Sequence, residues 1–199
     1  MINIFNKFQD IIDWFKHFEF LGPLALRIYL APIFIAAGSN KLANAENVAY
    51  WFESLGFPAP ELMVYLAGGI ELFGGIALIA GLAVRWFAIP LMITMVVAAT
   101  SAHWEQGWHV LPEKELTAPW EWRMDLIEEA DQRKEMAKSI LKRHGNYSWL
   151  TEAGPITILK NGIEFAATYF IMLLVLFFTG GGRYFSFDYW IAKKFRTQN

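Results

Sequence analysis

An apolar stretch with one acid at its centre constrains this chain more than any other feature. From Leu62 to Val84 the residues are apolar or small except for Tyr65 and Glu71. Crossing the hydrocarbon core of a bilayer takes roughly 20 mostly apolar residues, so the stretch is predicted to span one. A carboxylate at mid-membrane is costly and turns toward the interior of a helix bundle. At about 100° per residue, Ala67, Gly68, Gly74, Gly75 and Leu78 fall within about 60° of Glu71. Small residues on that face let a second helix approach closely. Two roles follow and stay open: a carboxylate that ties helices together through a salt bridge, or one that meets a ligand or a proton.

The rest of the chain fits that frame. Hydrophobic residues make up 55% and aromatics 17% of the 199 positions, which reads as a multi-span membrane protein with one domain over 1–199. The predicted fold class is an all-α membrane protein: a four-transmembrane-helix bundle with an N-terminal amphipathic interfacial helix and a helical periplasmic insert. There is no Cys, which excludes thiol catalysis, disulfide relays and thiolate metal sites. A formal charge of −2 gives no sign of nucleic-acid binding. The opening residues carry no signal-peptide pattern.

Taken in order, residues 3–19 space Ile4, Phe5, Phe8, Ile11, Ile12, Phe15 and Phe18 at helical intervals among Lys and Asp, as a helix lying on the membrane surface does. Predicted spans cover 22–42, 62–84, 86–103 and 156–179. In the first, Arg27 and Lys41 are fourteen residues apart and share a face with Ala31 and Gly38. Lys41, at the end, is expected to snorkel to an interface, whereas Arg27 lies deeper and needs a partner. Residues 47–54 suggest a short helix, ended by Gly56, Pro58 and Pro60. Residues 104–155 form the polar insert, with a helix over 121–144 whose apolar stripe is Leu126, Ile127, Ala130, Ala137, Ile140 and Leu141. The last span carries Asn161, Glu164 and Thr168 on one face. A glycine run, Gly180 to Gly182, breaks it, and Lys193, Lys194 and Arg196 close the chain.

Clustered cations at Arg85 and in the tail place both termini on the cytoplasmic side and the insert outside. On that orientation a polar cluster of Arg27, Lys41, Glu71, His103, Asn161, Glu164 and Thr168 grades from the outer surface to mid-membrane. Similar depths of Arg27 and Glu71 predict that these two pair. Glu164 is then the free acid. His103 and His109 are candidate metal ligands. Their six-residue spacing is not the i, i+4 pair of a helical site, so a loop would have to join them, and satisfied interfacial polar residues are the plainer alternative.

Arg27, Gly38-Ser-Asn-Lys41, Glu71 with Gly74 and Gly81, His103, Glu164, and Gly180-Gly-Gly182-Arg183 followed by Ser186 and Asp188 together resemble the DoxX family of small four-span membrane proteins. The long insert, with His144 to Leu150 and Asn161 to Tyr169, resembles the HvfX type of that family. The resemblance implies an inner (cytoplasmic) membrane location and an association with the maturation of copper-binding, ribosomally made peptides (RiPP maturation). It also implies partners among the other proteins of a peptide-maturation cluster, besides membrane lipid. Other DoxX relatives are linked to thiosulfate:quinone oxidoreduction, so quinone and copper are the candidate cofactors. Three functions compete: a quinone-linked accessory in peptide maturation, a small-solute or lipid binding or transport protein, and a structural subunit that docks periplasmic partners.

Overall fold

The structure is a computed structural model that describes residues 9, 12–112 and 119–196. All regular structure among these residues is helical. They fall into two compact units, one containing residues 1–94 and 169–199, the other 95–168. Of the expected interfacial helix over 3–19, residues 3–8, 10 and 11 lie outside the described residues. Within them, residues 12–15 are helical, a three-ten turn follows at Lys16–Phe18, and Ile12, Trp14, Phe15 and Phe18 are exposed.

In the first unit, α1 (Leu21–Ala43) runs antiparallel to α3 (Pro60–Ala80), with α2 (Ala45–Ser54) between them in sequence. α4 begins at Val84 and is α-helical to Val97. It continues through one π turn, Ala98–His103, and a three-ten turn, Trp104–Gln106, in the second unit. Leu21–Ala43, Pro60–Ala80 and Val84–Gln106 are each long and apolar enough to cross a membrane. Ile28, Phe73, Ile76, Ile79 and Ile93 are among the large hydrophobic residues they expose, an apolar exterior suited to lipid. Pro32 and Pro90 sit inside helices without ending them.

Glycine decides how closely α1 and α3 meet. A Cβ built on Gly38 would stand 2.5 Å from the Leu72 nitrogen and 2.6 Å from the Gly68 oxygen, both backbone. One on Gly75 would meet the Ala31 oxygen and the Ile35 nitrogen, each at 2.9 Å. The helices therefore touch backbone to backbone along the small-residue face that the sequence placed around Glu71. Gly38→Ala is expected to cost about 1–3 kcal/mol, since neither neighbour is a side chain that can rotate away. Unfolding in detergent checks this; an unchanged midpoint would mean that the two helices can separate freely.

The last apolar helix departs from its predicted bounds. α7 is Glu164–Thr179, starting eight residues later than the 156–179 expected, and its 16 residues extend about 24 Å. Residues 155–162 are not helical. Asn161 takes φ 59°, a left-handed conformation that Asn tolerates and a helix does not continue through. The segment instead bonds to residues 107–110: Lys160 N donates to Val110 O (2.9 Å), Gly162 N to His109 O (3.2 Å), Ile163 N to Gly107 O (3.0 Å) and Glu164 N to Trp108 O (3.0 Å). The insert's main helix, α5, is Met124–His144 rather than 121–144. It buries Ile127 and Ala130 but leaves Ile140 exposed, so the expected stripe is shorter than drawn. The short helix α6, Tyr147–Leu150, follows, and Asn146 caps it through Trp149 N. The chain then closes with α8 (Phe187–Phe195) in the first unit.

Candidate functional site

The buried charges of the first unit make two separate arrangements. In one, Lys41 Nζ donates to Glu71 Oε2 at 2.6 Å. Glu71 lies eleven residues into α3, about 16 Å from its start, and its side chain is 5% exposed against 22% for Lys41. Glycine builds this contact. Gly38 sits one turn before Lys41, and Gly68 one turn before Glu71. A Cβ on Gly68 would come within 2.9 Å of Leu42 Cδ2 and 3.3 Å of Lys41 Cβ. The lysine stem therefore runs over Gly68 and reaches the acid on the next turn. This corrects the expectation that Lys41 snorkels away to an interface.

The other arrangement surrounds Arg27, which is 1% exposed. Its Nε donates to Leu78 O (2.6 Å) and its Nη2 to Ile79 O (2.7 Å), two carbonyls in the last turn of α3. Nη1 donates to Gly181 O (2.6 Å) and Phe185 O (3.0 Å). Helix ends leave carbonyls without intrahelical partners, and a cation there also complements the helix dipole. Arg27 is thus a cap for α3 and a tie to the 180–185 turn. It does not pair with Glu71. Their predicted pairing fails because Arg27 faces Leu78 to Gly81, at least seven residues from Glu71, which is about 10 Å along the helix and beyond an arginine side chain.

The motif glycines and polar residues complete that tie. Gly81 caps α3 at φ 65°, and a Cβ there would meet Arg27 Nη2 at 2.5 Å and Ser186 Cα at 2.8 Å. Ser186 Oγ donates to Gly81 O (2.8 Å). Asp188 accepts from Ala83 N (2.6 Å) and Val84 N (3.0 Å), satisfying the orphan amides that open α4. Gly180 and Gly182 turn the chain with φ of 74° and 81°. Gly74 admits the Leu91 side chain, 2.9 Å from its would-be Cβ. Arg183 is exposed, 3.3 Å from Glu19. Apart from Arg183, these motif positions hold the fold together.

The second unit contains His103, His109, Asn161, Glu164 and Thr168. His103 lies in the π turn, with Nδ1 2.9 Å from Asn161 O. Glu164 Oε2 accepts from Val110 N (3.1 Å), and Thr168 is half-buried on α7. Among the described residues no three His, Cys, Asp or Glu side chains converge to hold a metal ion. Within the first unit the charges fall into two arrangements, around Arg27 and around Lys41 and Glu71; within the second, His103 meets the Asn161 carbonyl.

One buried ion pair was missed. Lys160 Nζ donates to Glu121 Oε2 at 2.8 Å, and the two side chains are 3% and 0% exposed. Glu121 also accepts from the amides of Arg123 (2.8 Å), His109 (3.0 Å) and Trp108 (3.2 Å). Trp108–Trp120 and Trp104–Trp122 ring pairs stand in the same unit, with centroids 5.6 and 4.9 Å apart. A signal existed: a lysine and a glutamate within the first turns of a predicted span, at 160 and 164, argue that the span begins later. Burial alone would push the Glu121 carboxyl up. The Lys160 ammonium and the three amides outweigh it and hold the group down at about 2, against 4.5 ordinarily. A depressed folded-state value stabilises above the unfolded value and is lost as pH falls through the folded one. The insert should therefore weaken from about pH 4.5 down to about 2, by on the order of 3 kcal/mol at about 1.4 kcal/mol per unit. Melting followed by tryptophan fluorescence across that range is the check, and Glu121→Gln should flatten the profile. An equally steep profile in that variant would assign the acid sensitivity elsewhere.

Residues 22–104 match the DoxX family. Over 83 residues the chain is 35% identical to a Bacillus subtilis (strain 168) protein named "Putative oxidoreductase CatD", an alignment covering 42% of this chain and 60% of that protein. The chain thus spans about three-fifths of the length of this curated relative. No solved structure matches it. The matched region begins at Gly22 and takes in Arg27, Gly38, Lys41, Glu71, Gly74 and Gly81, so residues 22–104 of this membrane protein are a DoxX domain.

Proposed function

We propose that this chain is a four-span inner-membrane component of a quinone-linked oxidoreduction system serving the maturation of a copper-binding, ribosomally made peptide. On this reading α7 is the fourth span, both termini are cytoplasmic, and the insert meets periplasmic partners. The observation that carries it is the Lys41–Glu71 pair, an ionisable couple held at mid-membrane inside a DoxX domain. Identity to a protein named as an oxidoreductase supports the redox class. The likeness of residues 144–150 and 161–169 to the HvfX type supports the peptide. Clustered Lys193, Lys194, Arg196 and Arg85 support the orientation.

The donor set suits a quinone. Lys41 is the more exposed partner, and its ammonium has N–H groups beyond the one given to Glu71. A bound quinone would supply two-electron, two-proton chemistry. Lys41 would bind an oxygen acceptor and Glu71 would hold or take up the accompanying proton. Electrons must come from a partner or a further bound group.

Two measurements test the reading. A short-chain quinone titrated into the purified protein should quench tryptophan fluorescence saturably, with Kd about tenfold weaker in Lys41→Gln. Absence of saturable quenching would remove the quinone. Deleting the gene should leave the secreted peptide at its unmodified mass; a fully modified peptide would remove the maturation role.

A further inference from the structure

We propose that the groove between the start of α4 and α8 binds an anionic phospholipid through its phosphate. The groove is a cavity of about 840 Å³ lined by Arg85, Arg183 and Arg196 together with Glu19, Asp188 and Trp86. Both carboxylates are already engaged. Glu19 stands 3.3 Å from Arg183, and Asp188 accepts the amides of Ala83 and Val84. Arg85 and Arg196 have no carboxylate partner among the described residues. Arg85 spends one N–H on Phe178 O (3.0 Å), which fixes its guanidinium beside Gly180. The remaining donors of that fork face a cavity in which Glu19 is matched by Arg183 while Arg85 and Arg196 have no carboxylate among the described residues, a charge balance that selects an anion.

The surroundings select a lipid rather than a free anion. Trp86 is 78% exposed beside Arg85, at the end of a membrane-spanning helix, where aromatic rings meet headgroups. α8 exposes Phe187, Trp190, Ile191 and Phe195, an apolar side that water would not favour. Its Lys193 lies 5.1 Å over the Trp190 ring and Lys194 5.4 Å over Phe195, so cations and aromatics alternate on one short helix. A phosphate in the cavity places acyl chains against the apolar exterior of α4. Basic residues close to the end of a spanning helix attract anionic headgroups in this way. The site requires only a membrane location, not the redox reading above.

The test uses the full chain, delipidated in a neutral detergent, with melting followed by tryptophan fluorescence. Phosphatidylglycerol should raise the midpoint at concentrations at least about tenfold below those needed for phosphatidylcholine. Inorganic phosphate over the same range should not. Each arginine is expected to contribute about fivefold, so Arg196→Gln should narrow the lipid preference about fivefold and Arg85→Gln plus Arg196→Gln should abolish it. Should the double variant fail to fold, Arg196→Gln alone decides, because its side chain bonds to nothing among the described residues. Equal response to the two lipids would overturn the site, as would an Arg196→Gln variant that keeps the full preference. A shift reproduced by inorganic phosphate would make it a free-anion site and overturn the lipid.

Discussion

Replacing Lys41 with methionine is expected to destabilise the protein by about 3–5 kcal/mol, the usual consequence of stranding one member of a buried pair. Glu71 would be the member left behind, 5% exposed and midway along α3. Glu71→Gln alone should cost less. The ammonium it leaves is 22% exposed, and its long stem sits near the end of α1, so it can turn toward an interface. Combining Lys41→Met with Glu71→Gln removes the stranded charge and should recover most of the loss. A double-mutant cycle on unfolding in detergent measures the coupling. Simple additivity of the two changes would show that the 2.6 Å contact contributes no coupling energy.

The second large effect belongs to Arg27. Arg27→Gln should cost at least about 4 kcal/mol, since charge-assisted hydrogen bonds to four carbonyls disappear and two of those bonds, to Leu78 O and Gly181 O, are fully buried. Arg27→Lys should recover little. An ammonium keeps the charge but cannot divide its donors between α3 and the 181–185 turn as a planar fork does. Arg27→Gln combined with Glu71→Gln should be additive within about 0.5 kcal/mol, because the two residues share no partner. A coupling well above that would restore the direct pairing that the geometry replaces. The same cycle therefore separates the structural cation, Arg27, from the cation that belongs to the site, Lys41.

The two buried arrangements of the first unit differ in what they do. Arg27, Ser186 and Asp188 close helix ends, each answering backbone groups that a helix leaves unpaired. Among the described residues, the side chains of Lys41 and Glu71 answer each other and no backbone group. A mid-membrane pair whose charges could have been replaced by apolar packing is weak evidence of a stabilising role. That contrast is why the proposed chemistry rests on Lys41 and Glu71 rather than on the more deeply buried arginine.

Much of this was readable before any coordinates. Apolar runs long enough to cross a bilayer marked three helices within a few residues of their ends. The 100° step along α3 grouped Ala67, Gly68, Gly74, Gly75 and Leu78 with Glu71, and all but the half-buried Ala67 are buried. Arg27 and Glu71 were rightly assigned to the interior, because lipid does not tolerate charge. Partner choice is not readable there, because depth along one helix says nothing of its register against another. Pairing depends on the register between helices, which the close approaches at Gly38 and Gly75 set. A register that places Gly68 beside Lys41 hands Glu71 to the lysine and leaves Arg27 to the end of α3.

The same division holds in the insert. Periodicity identified a helix there but set its start three residues early, because Glu121 reads as a helical acid until its amide partners are known. An apolar run likewise began the last span at 156. There, Asn161 in a left-handed conformation and bonds to residues 107–110 hold the chain out of a helix until Glu164. By itself the sequence determined what solvent and periodicity dictate: a membrane protein, three helices long and apolar enough to cross a bilayer, and which face of α3 turns inward. Only the tertiary structure decided which charge meets which, and where backbone groups bond across distant segments. Those outcomes depend on contacts of about 3 Å between residues 30 to 154 positions apart, such as Lys41 with Glu71 and Arg27 with Gly181, and no local pattern encodes such distances.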